Sequence, residues 1–240
     1  KRSCDIVITS IFVNPTQFAP NEDFARYPRD IDRDLRLCES AGSTVLFAPQ
    51  ENEMFPAGYS TFVSVEGLSS ILEGKFRPSH FRGVTTVVAK LFLLTKPHKA
   101  FFGQKDAQQC VVVKKMVKDL NFQIQIVIAP IVREKDGLAM SSRNIYLSEE
   151  ERSQALVLNA SLRRAEEMVD RGERNASAIA GEVTRMIQTK SAAALDYAAV
   201  VDAESLAVLD LLEHKSRVLV ALAARFGSTR LIDNTIVKVS

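Results

Sequence analysis

Apolar, β-branched segments alternate with helical segments over roughly the first 130 residues, and this alternation constrains the fold more than any other feature. The strand-like segments are 5–13 (DIVITSIFV), 44–48 (TVLFA), a short hairpin-like piece at 61–65, 99–102 and 123–128. The segments with helical spacing are 30–41, 85–94 and 107–120. Continuous apolar runs are typical of strands that are covered on both faces. Strands that alternate with helices predict a parallel α/β sheet, whose ligands usually lie beyond the carboxyl ends of the strands.

The pattern changes near residue 132. A polar loop leads into a helix with a capping box, Ser148 to Glu151, which continues to about residue 171, and a second helix covers roughly 176–189. Three strand-like segments follow, at 195–202, 216–227 and 229–239. Helices followed by consecutive strands predict a small α+β domain. We therefore predict two domains, 1–132 and 133–240.

Composition argues against several classes of function. The net charge is +2, and no Lys/Arg block or basic patch with interleaved aromatic residues supports nucleic-acid binding. The longest apolar runs are far shorter than the ~18 residues of a membrane span. Cys4, Cys38 and Cys110 are odd in number and widely separated, which predicts buried thiols in a reducing, cytosolic setting. The three histidines form no local metal cluster.

Three loops that follow predicted strands carry unusual polar residues. Asn14 and Gln17 follow the first strand, residues 103–109 follow the third, and residues 140–143 belong to the loop after the fourth. Because the carboxyl ends of parallel strands meet at one edge of a sheet, we expect these loops to line one ligand crevice.

The segment 101–109 (FFGQKDAQQ) is open to two interpretations. A capping box, with Asp106 as N-cap and Gln109 at the third helical position, would satisfy free amides at the start of a helix. Alternatively, Gly103 allows close approach of the backbone to a ligand, and Lys105 supplies a charge for a phosphate at the helix N-terminus. The segment is not a GxxxxGK[ST] phosphate loop.

Three other segments also leave two interpretations open. The hydroxyls and guanidinium of MSSRN (140–144) suit phosphate recognition, or Arg143 pairs with a nearby carboxylate. The basic cluster of RPSHFRG (77–83) binds an anion or is a surface loop. The neutral amides of NPTQF (14–18) suit hydroxyl and carboxylate recognition, or form an Asx-type turn.

Taken together, six blocks in order resemble the pantothenate synthetase family, the ATP-dependent ligases that join pantoate to β-alanine. The blocks are SIFVNPTQF, NEDFARYPRD, LEGKFRPSHFRGV, FFGQKDAQQ, REKDGLAMSSRNIYLSEEER and VLVALAARFGSTRLIDN. The resemblance implies a cytoplasmic homodimer with an α/β fold. Its parts would be a Rossmann-like nucleotidylyltransferase domain, here 1–132, and a smaller carboxy-terminal lid domain, here 133–240.

The resemblance also implies roles for individual residues. The residues expected to bind ATP are Gly103, Gln104, Lys105, Asp106, Val132, Met140, Ser141, Ser142 and Arg143. Within this set Lys105, Ser141, Ser142 and Arg143 are expected at the phosphates as the catalytic groups, and Asp106 at the ribose. Gln17 and Gln109 are expected to bind pantoate. The expected supporting positions of the pocket are Asn14, Tyr27, Arg77 and His80.

The implied chemistry has two steps. The pantoate carboxylate attacks the α-phosphorus of Mg²⁺-bound ATP, which forms pantoyl adenylate and releases pyrophosphate. The amine of β-alanine then attacks the acyl carbon and releases AMP. Such chemistry depends on charge stabilisation and in-line positioning, so the serines are expected to be hydrogen-bond donors and not nucleophiles.

One feature of the family is missing from these residues. The HxGH-type motif, whose histidines would stabilise the transferring phosphate, is absent, and the sequence opens without Met beside an apolar segment. We expect that the chain is one part of a longer polypeptide that carries this motif. The alternatives are a catalytically impaired fragment or paralogue that binds ATP or pantoate, and a related nucleotidyl transferase with another acid substrate.

Overall fold

The computed structural model describes residues 3–20 and 22–240. The chain separates into two compact units, 1–98 and 99–240. The domain boundary predicted near residue 132 lies inside the second unit and stays a prediction. No helix of the described residues combines the length and the apolar character needed to cross a membrane.

The first unit contains a pair of parallel strands and four helices within its described residues. Its elements are β1 (Ile8–Ser10), α1 (Ile31–Ser40), β2 (Val45–Phe47), α2 (Glu51–Met54), α3 (Glu73–Phe76) and α4 (His80–Thr95). Ile8 lies opposite Val45, and these two side chains are 41% and 45% exposed. The prediction of strands covered on both faces is therefore wrong for β1 and β2, which pair over three residues only.

Helix α4 forms the centre of the first unit. Phe81, Val84 and Phe92 are buried on it, so the helix begins five residues before the predicted start at 85. The hairpin predicted at 61–65 does not form. Instead, the Val63 amide donates to Thr86 Oγ1 at 3.0 Å, and Thr85 Oγ1 donates to the Val63 carbonyl at 2.6 Å. Hydroxyls of α4 thus satisfy the backbone groups that a hairpin would pair.

The second unit begins with a parallel β–α–β arrangement. Its elements are β3 (Lys99–Gly103), α5 (Ala107–Asp119) and β4 (Gln125–Ala129). The two strands are in register from Lys99 opposite Gln125 to Gly103 opposite Ala129, so both end at the same edge. A 3₁₀ turn, Gln104–Asp106, connects β3 to α5 at that edge.

The remainder of the second unit packs helices on an antiparallel sheet. Its elements are α6 (Glu149–Ala155), α7 (Val157–Asp170), α8 (Ala176–Gln188), β5 (Ala193–Asp202), β6 (Arg217–Phe226) and β7 (Thr229–Lys238). The sheet order is β5-β6-β7, and buried apolar side chains of α7, α8 and the sheet form one core. The predicted α/β class with a small carboxy-terminal α+β part is confirmed.

The start of α6 was predicted correctly, but the single long helix was not. Ser148 Oγ accepts from the Glu151 amide at 3.2 Å, and the Glu151 carboxylate accepts from the Ser148 amide at 2.8 Å, which is the predicted capping box. The helix is interrupted at Leu156, where ψ is −19°, a value closer to 3₁₀ than to α geometry.

Candidate active site

Asn14 organises the turn that follows β1. Its Oδ1 accepts from the amide and the hydroxyl of Thr16, at 3.2 and 2.8 Å. Its Nδ2 donates to the Gly83 carbonyl at 3.1 Å and to Gln17 Oε1 at 3.2 Å. Asn14 is 1% exposed, so it forms the Asx-type turn and also orients the Gln17 side chain.

This turn lies directly against α4. A Cβ atom added to Gly83 would stand 2.4 Å from the Thr16 carbonyl oxygen and 2.7 Å from the Gln17 amide nitrogen. Only glycine allows the helix and the turn to approach this closely. The position of Gln17 therefore depends on a residue that the sequence did not single out.

Arg77 and His80 meet the turn at the Gln17 carbonyl. Arg77 Nη2 donates to this oxygen at 3.2 Å, and His80 Nδ1 lies 3.0 Å from it. The Arg77 guanidinium also binds both carboxylate oxygens of Glu22, at 2.5 and 2.6 Å. Burial raises the pKa of the Glu22 carboxyl, but the hydrogen bond and charge of Arg77 outweigh burial and leave that pKa lowered.

Two of the basic residues of 77–83 already contact other side chains of the first unit. Arg77 is paired with Glu22, and the Arg82 guanidinium lies 3.7 Å from the centre of the Phe62 ring. Burial, and then the positive charge of Arg77, lower the pKa of His80 to about 4, so its imidazole is neutral near pH 7. The anion-binding interpretation of this segment stays a prediction.

Tyr27 is placed by aromatic packing in the first unit. Its ring meets Phe18 edge-on, with ring centres 5.6 Å apart, and Phe18 meets Phe24 in the same way at 5.3 Å. Phe18 directly follows Gln17, so this small aromatic group supports the same turn. Tyr27 as a pocket position stays a prediction.

In the second unit, the segment 103–106 leads from β3 into α5. Lys105 Nζ lies 4.0 Å from Asp106 Oδ1, and the two side chains are 22% and 49% exposed. Asp106 is the N-cap of α5, but its side chain accepts no capping hydrogen bond, so the predicted capping box is wrong. Its φ and ψ of −98° and 60° differ from the extended conformation of a capping residue. Its carboxylate is thus not used by the helix.

The Val132–Met140 segment forms a tight hairpin in the second unit. The Met140 amide donates to the Val132 carbonyl at 3.0 Å, and the Glu134 amide to the Leu138 carbonyl at 2.8 Å. Gly137, with a φ of +95°, makes the turn possible. Val132 and Met140, two expected nucleotide contacts, are therefore neighbours, with exposures of 64% and 55%.

The serine and arginine residues follow this hairpin. Ser141 Oγ accepts from the Arg143 amide at 3.2 Å and caps a 3₁₀ helix, Ser142–Tyr146. Asn144 is buried and anchors the segment, since its Nδ2 donates to the Ala139 carbonyl at 3.0 Å and to Glu134 Oε1 at 2.6 Å. The hydrogen bonds of Asn144 thus hold residues 140–143 in place.

Three residues that connect these segments were missed by the sequence analysis. Asn234 of β7 bonds to the backbone of residues 104 and 105, and its neighbour Asp233 pairs with Arg133 at the base of the hairpin. An adjacent Asp–Asn pair inside the predicted strand 229–239 was the signal that could have found two of them. Gln109 lies in the first turn of α5, and the roles assigned to all the site residues stay predictions.

A cavity of about 310 Å³ in the second unit is lined mainly by residues of α5, β4 and β6. Gln104, Cys110 and Ile236 are among its lining residues. Cys110 Sγ donates to the Gly103 carbonyl at 3.4 Å, and burial, followed by the negative charge of Asp106, raises the pKa of this thiol to about 12. Cys110 is therefore a structural thiol and supplies no nucleophile.

Comparison with known proteins gives consistent matches over almost the whole chain. A family model described as pantoate-beta-alanine ligase matches residues 1–236. The pantothenate synthetase of Acetivibrio thermocellus is 59% identical over 239 residues, which are 100% of this chain and 84% of that protein.

Solved structures agree with these matches. The crystal structure of pantothenate synthetase from Thermus thermophilus has a TM-score of 0.92 and 46% identity, and the match covers 98% of this chain and 84% of that one. A pantoate-beta-alanine ligase from Francisella tularensis, in complex with beta-gamma ATP and beta-alanine, has a TM-score of 0.75 and 34% identity over 97% of this chain and 79% of that one.

Proposed function

Because the chain belongs to the pantoate–β-alanine ligase family, we propose that it condenses pantoate with β-alanine to pantothenate at the cost of ATP, through a pantoyl-adenylate intermediate. The observation that carries this proposal is the match of the family model to residues 1–236. Relatives at 46% and 59% identity are named pantothenate synthetase, which favours an enzyme over an impaired binding protein. The Francisella complex supports ATP and β-alanine as two of the substrates.

The nucleotide is assigned to the second unit. Gly103 lets the backbone approach the ligand, and no atom lies within 4 Å of a Cβ built there, so the space beside it is open. Lys105 places its ammonium at the phosphates, and the Asp106 carboxylate, which caps no helix, accepts from the ribose hydroxyls. Gln104 stands beside them as a further contact.

The hairpin and its extension are proposed to cover the nucleotide. The exposed side chains of Val132 and Met140 present an apolar surface to the base, and Ser141, Ser142 and Arg143 reach the phosphates. A guanidinium and hydroxyl donors stabilise the negative charge that builds on the phosphorus during attack. No protein nucleophile is required, so the serines act as donors only.

Pantoate is assigned to two neutral amides. The Gln17 side chain is oriented by Asn14, and Gln109 lies in the first turn of α5, four residues after Lys105. Amides can donate to a carboxylate and accept from hydroxyls, and pantoate carries both groups. Arg77, His80 and Tyr27 support the turn that carries Gln17.

The reaction then proceeds in two transfers. A pantoate carboxylate oxygen attacks the α-phosphorus of ATP, the bond to the β-phosphate bridging oxygen breaks, and pyrophosphate leaves. The β-alanine amine next attacks the acyl carbon, the acyl–phosphate bond breaks, AMP leaves and the amine loses a proton. Positioning and charge stabilisation carry both steps.

We further propose that Mg²⁺ enters as part of the substrate, bound mainly to phosphate oxygens. In the described ranges, no group of three or more His, Cys, Asp or Glu side chains is arranged to hold a metal ion. Mg²⁺ is commonly bound through one or two carboxylates together with substrate phosphates.

Three wider properties belong to the same proposal. A homodimer and a cytoplasmic location follow from the resemblance, and the free thiols of Cys4, Cys38 and Cys110 suit a reducing compartment. No two of His80, His98 and His214 are close enough in sequence to form an HxGH-type motif, so we propose that these histidines come from outside the 240 residues. The intact mass of the natural polypeptide tests this point.

The function is tested by pantoate-dependent exchange of labelled pyrophosphate into ATP, using the polypeptide at its full natural length. We expect exchange with pantoate and ATP alone, and net formation of AMP and pantothenate when β-alanine is added. Exchange without pantoate would indicate another acid substrate. Binding of ATP without any exchange would refute the ligase proposal.

A further inference from the structure

Strand β7 carries a buried polar pair, Asp233 and Asn234, directly after the apolar residues Leu231 and Ile232. The two residues are 2% and 3% exposed. Consecutive residues of a strand point to opposite faces of a sheet, so this pair can reach two different segments at once. Buried polar side chains are costly unless they are hydrogen-bonded, and both of these side chains are bonded.

Asn234 bonds to the segment that leads into α5. Its Nδ2 donates to the carbonyl oxygens of Gln104 and Lys105, at 3.0 and 2.9 Å. Its Oδ1 accepts from Gln104 Nε2 at 3.3 Å. One buried amide therefore uses both its donors and an acceptor to hold two consecutive residues of a three-residue 3₁₀ turn.

Asn234 is itself held by its neighbour. The backbone amide of Asn234 donates to Asp233 Oδ1 at 2.8 Å. Both Asp233 carboxylate oxygens bind the Arg133 guanidinium, at 2.7 and 3.0 Å. Arg133 Nη1 also donates to the Gly137 carbonyl at 3.2 Å, across the hairpin. The pair on β7 thus connects the 104–106 turn to the Val132–Met140 hairpin.

We propose that Asn234 is a positioning residue for the nucleotide. By holding the backbone of Gln104 and Lys105, it fixes the direction in which the side chains of Lys105 and Asp106 point. The Asp233–Arg133 pair holds the Val132–Met140 hairpin next to the same turn. This inference rests on the proposed function, since it assumes that these two segments bind ATP. Asn234 touches no substrate and acts only through the residues it holds.

Two variants and one control test the proposal. Asn234→Asp keeps the shape but replaces two donors with an acceptor that faces two carbonyl oxygens. Asn234→Ala removes the side chain and carries the test if the aspartate variant does not fold. Val237→Ala is the control, because it removes buried methyl groups from the same strand, where Val237 is 7% exposed and belongs to the apolar core.

The first measurement is amide hydrogen exchange of the segment 103–107 in the full-length protein without ligand. We expect exchange to be at least about tenfold faster in the Asn234 variants, because a lost hydrogen-bond clamp lowers the local opening energy. Val237→Ala is expected to lower the melting temperature without this local change. Unchanged amide hydrogen exchange in a folded Asn234 variant would overturn the proposal, whether or not the protein proves to be a ligase.

The second measurement separates positioning from general destabilisation. The KM for ATP, measured by pyrophosphate exchange, is expected to rise about tenfold in the Asn234 variants, roughly the effect of losing one or two hydrogen bonds. The KM for pantoate is expected to change less than about twofold. Equal rises in both constants, or the same rise in Val237→Ala, would overturn the positioning role. Absence of pyrophosphate exchange by the wild-type protein would instead refute the proposed function.

Discussion

Arg133 and Asp233 form a two-point ion pair, in which Nη1 lies 2.7 Å from Oδ2 and Nη2 lies 3.0 Å from Oδ1. The carboxylate side chain is 2% exposed and the guanidinium side chain is 24% exposed. Two parallel N–H···O bonds to a carboxylate fix direction as well as distance. This pair joins the base of the Val132–Met140 hairpin to β7, one residue away from the amide that holds the 104–106 turn.

Arg133→Met is expected to destabilise the protein by about 3 kcal/mol, since it leaves the buried Asp233 carboxylate without its partner. Urea denaturation measures the change. Lys115→Met is the control, because Lys115 and Asp119 form an exposed pair at 2.7 Å on α5, and its loss is expected to cost less than about 1 kcal/mol. Equal effects of the two substitutions would contradict the importance of the Arg133–Asp233 pair.

Gly83→Ala is expected to destabilise the first unit by about 2–3 kcal/mol, because the new Cβ would meet backbone atoms of Thr16 and Gln17. Gly181→Ala is the matched control in the interior of α8, where no atom lies within 4 Å of the new Cβ. It is expected to stabilise by about 0.5–1 kcal/mol. Thermal or urea unfolding measures both, and a neutral Gly83→Ala would show that the turn and α4 separate easily.

The free energy of unfolding is expected to decrease as the pH is lowered, because of His80. Its pKa is lowered to about 4 in the folded protein by burial and by Arg77, while an unfolded histidine titrates near pH 6.5. Between pH 6.5 and 4 the imidazole is therefore protonated in the unfolded chain but neutral in the folded protein. The contribution of His80 to stability is full above pH 6.5 and is lost as the pH falls towards 4, by about 3 kcal/mol in all.

His80→Asn removes this titration while an amide can still donate to the Gln17 carbonyl. The difference in unfolding free energy between the wild type and the variant is expected to change across the window from pH 6.5 to 4. Carboxylates that do not interact with His80 titrate alike in both proteins, so their effects cancel in the difference, whereas Glu22 and Glu73 interact with His80 and belong to its effect. Parallel pH profiles would show that His80 is not held neutral.

Cys110 is expected to resist thiol reagents in the folded protein. With a pKa of about 12, its thiolate fraction at pH 8 is roughly a thousandfold below that of an ordinary thiol of pKa about 8.5. Alkylation mapped by mass spectrometry measures the rate at each cysteine, and labelling in denaturant provides the control. Rapid labelling of Cys110 in the native protein would contradict its structural role.

Lys105→Ala and Gln109→Ala are expected to impair the use of different substrates. Loss of the Lys105 ammonium is expected to lower kcat/KM by more than about tenfold, since it removes a charge at the phosphates. Lys114→Ala removes the same charge from an exposed position of α5 and is expected to have little effect. Gln109→Ala is expected to raise the KM for pantoate more than that for ATP. The reverse order, or unchanged kinetics of Lys105→Ala, would contradict the assignments.

Local patterns predicted much of the fold. The apolar run before Gly103 and the amphipathic segment after Asp106 predicted β3 and α5 within a few residues, and Ser148 correctly predicted the start of α6. Such features depend on residues three or four positions apart, so periodicity and capping chemistry are sufficient to find them. The Asp106 capping box failed because the 3₁₀ turn sets a backbone conformation that the residue types do not reveal.

The sequence by itself therefore determined the order and type of the main elements and, through its six family blocks, the candidate site residues. Only the tertiary structure decided how those residues are held: Asn234 on the turn of Lys105, Gly83 against Gln17, and hydroxyls of α4 on Val63 in place of a hairpin. The physical reason is that these contacts join residues far apart in the chain. Their hydrogen bonds exist only once packing has brought the elements together, and no local period encodes that proximity.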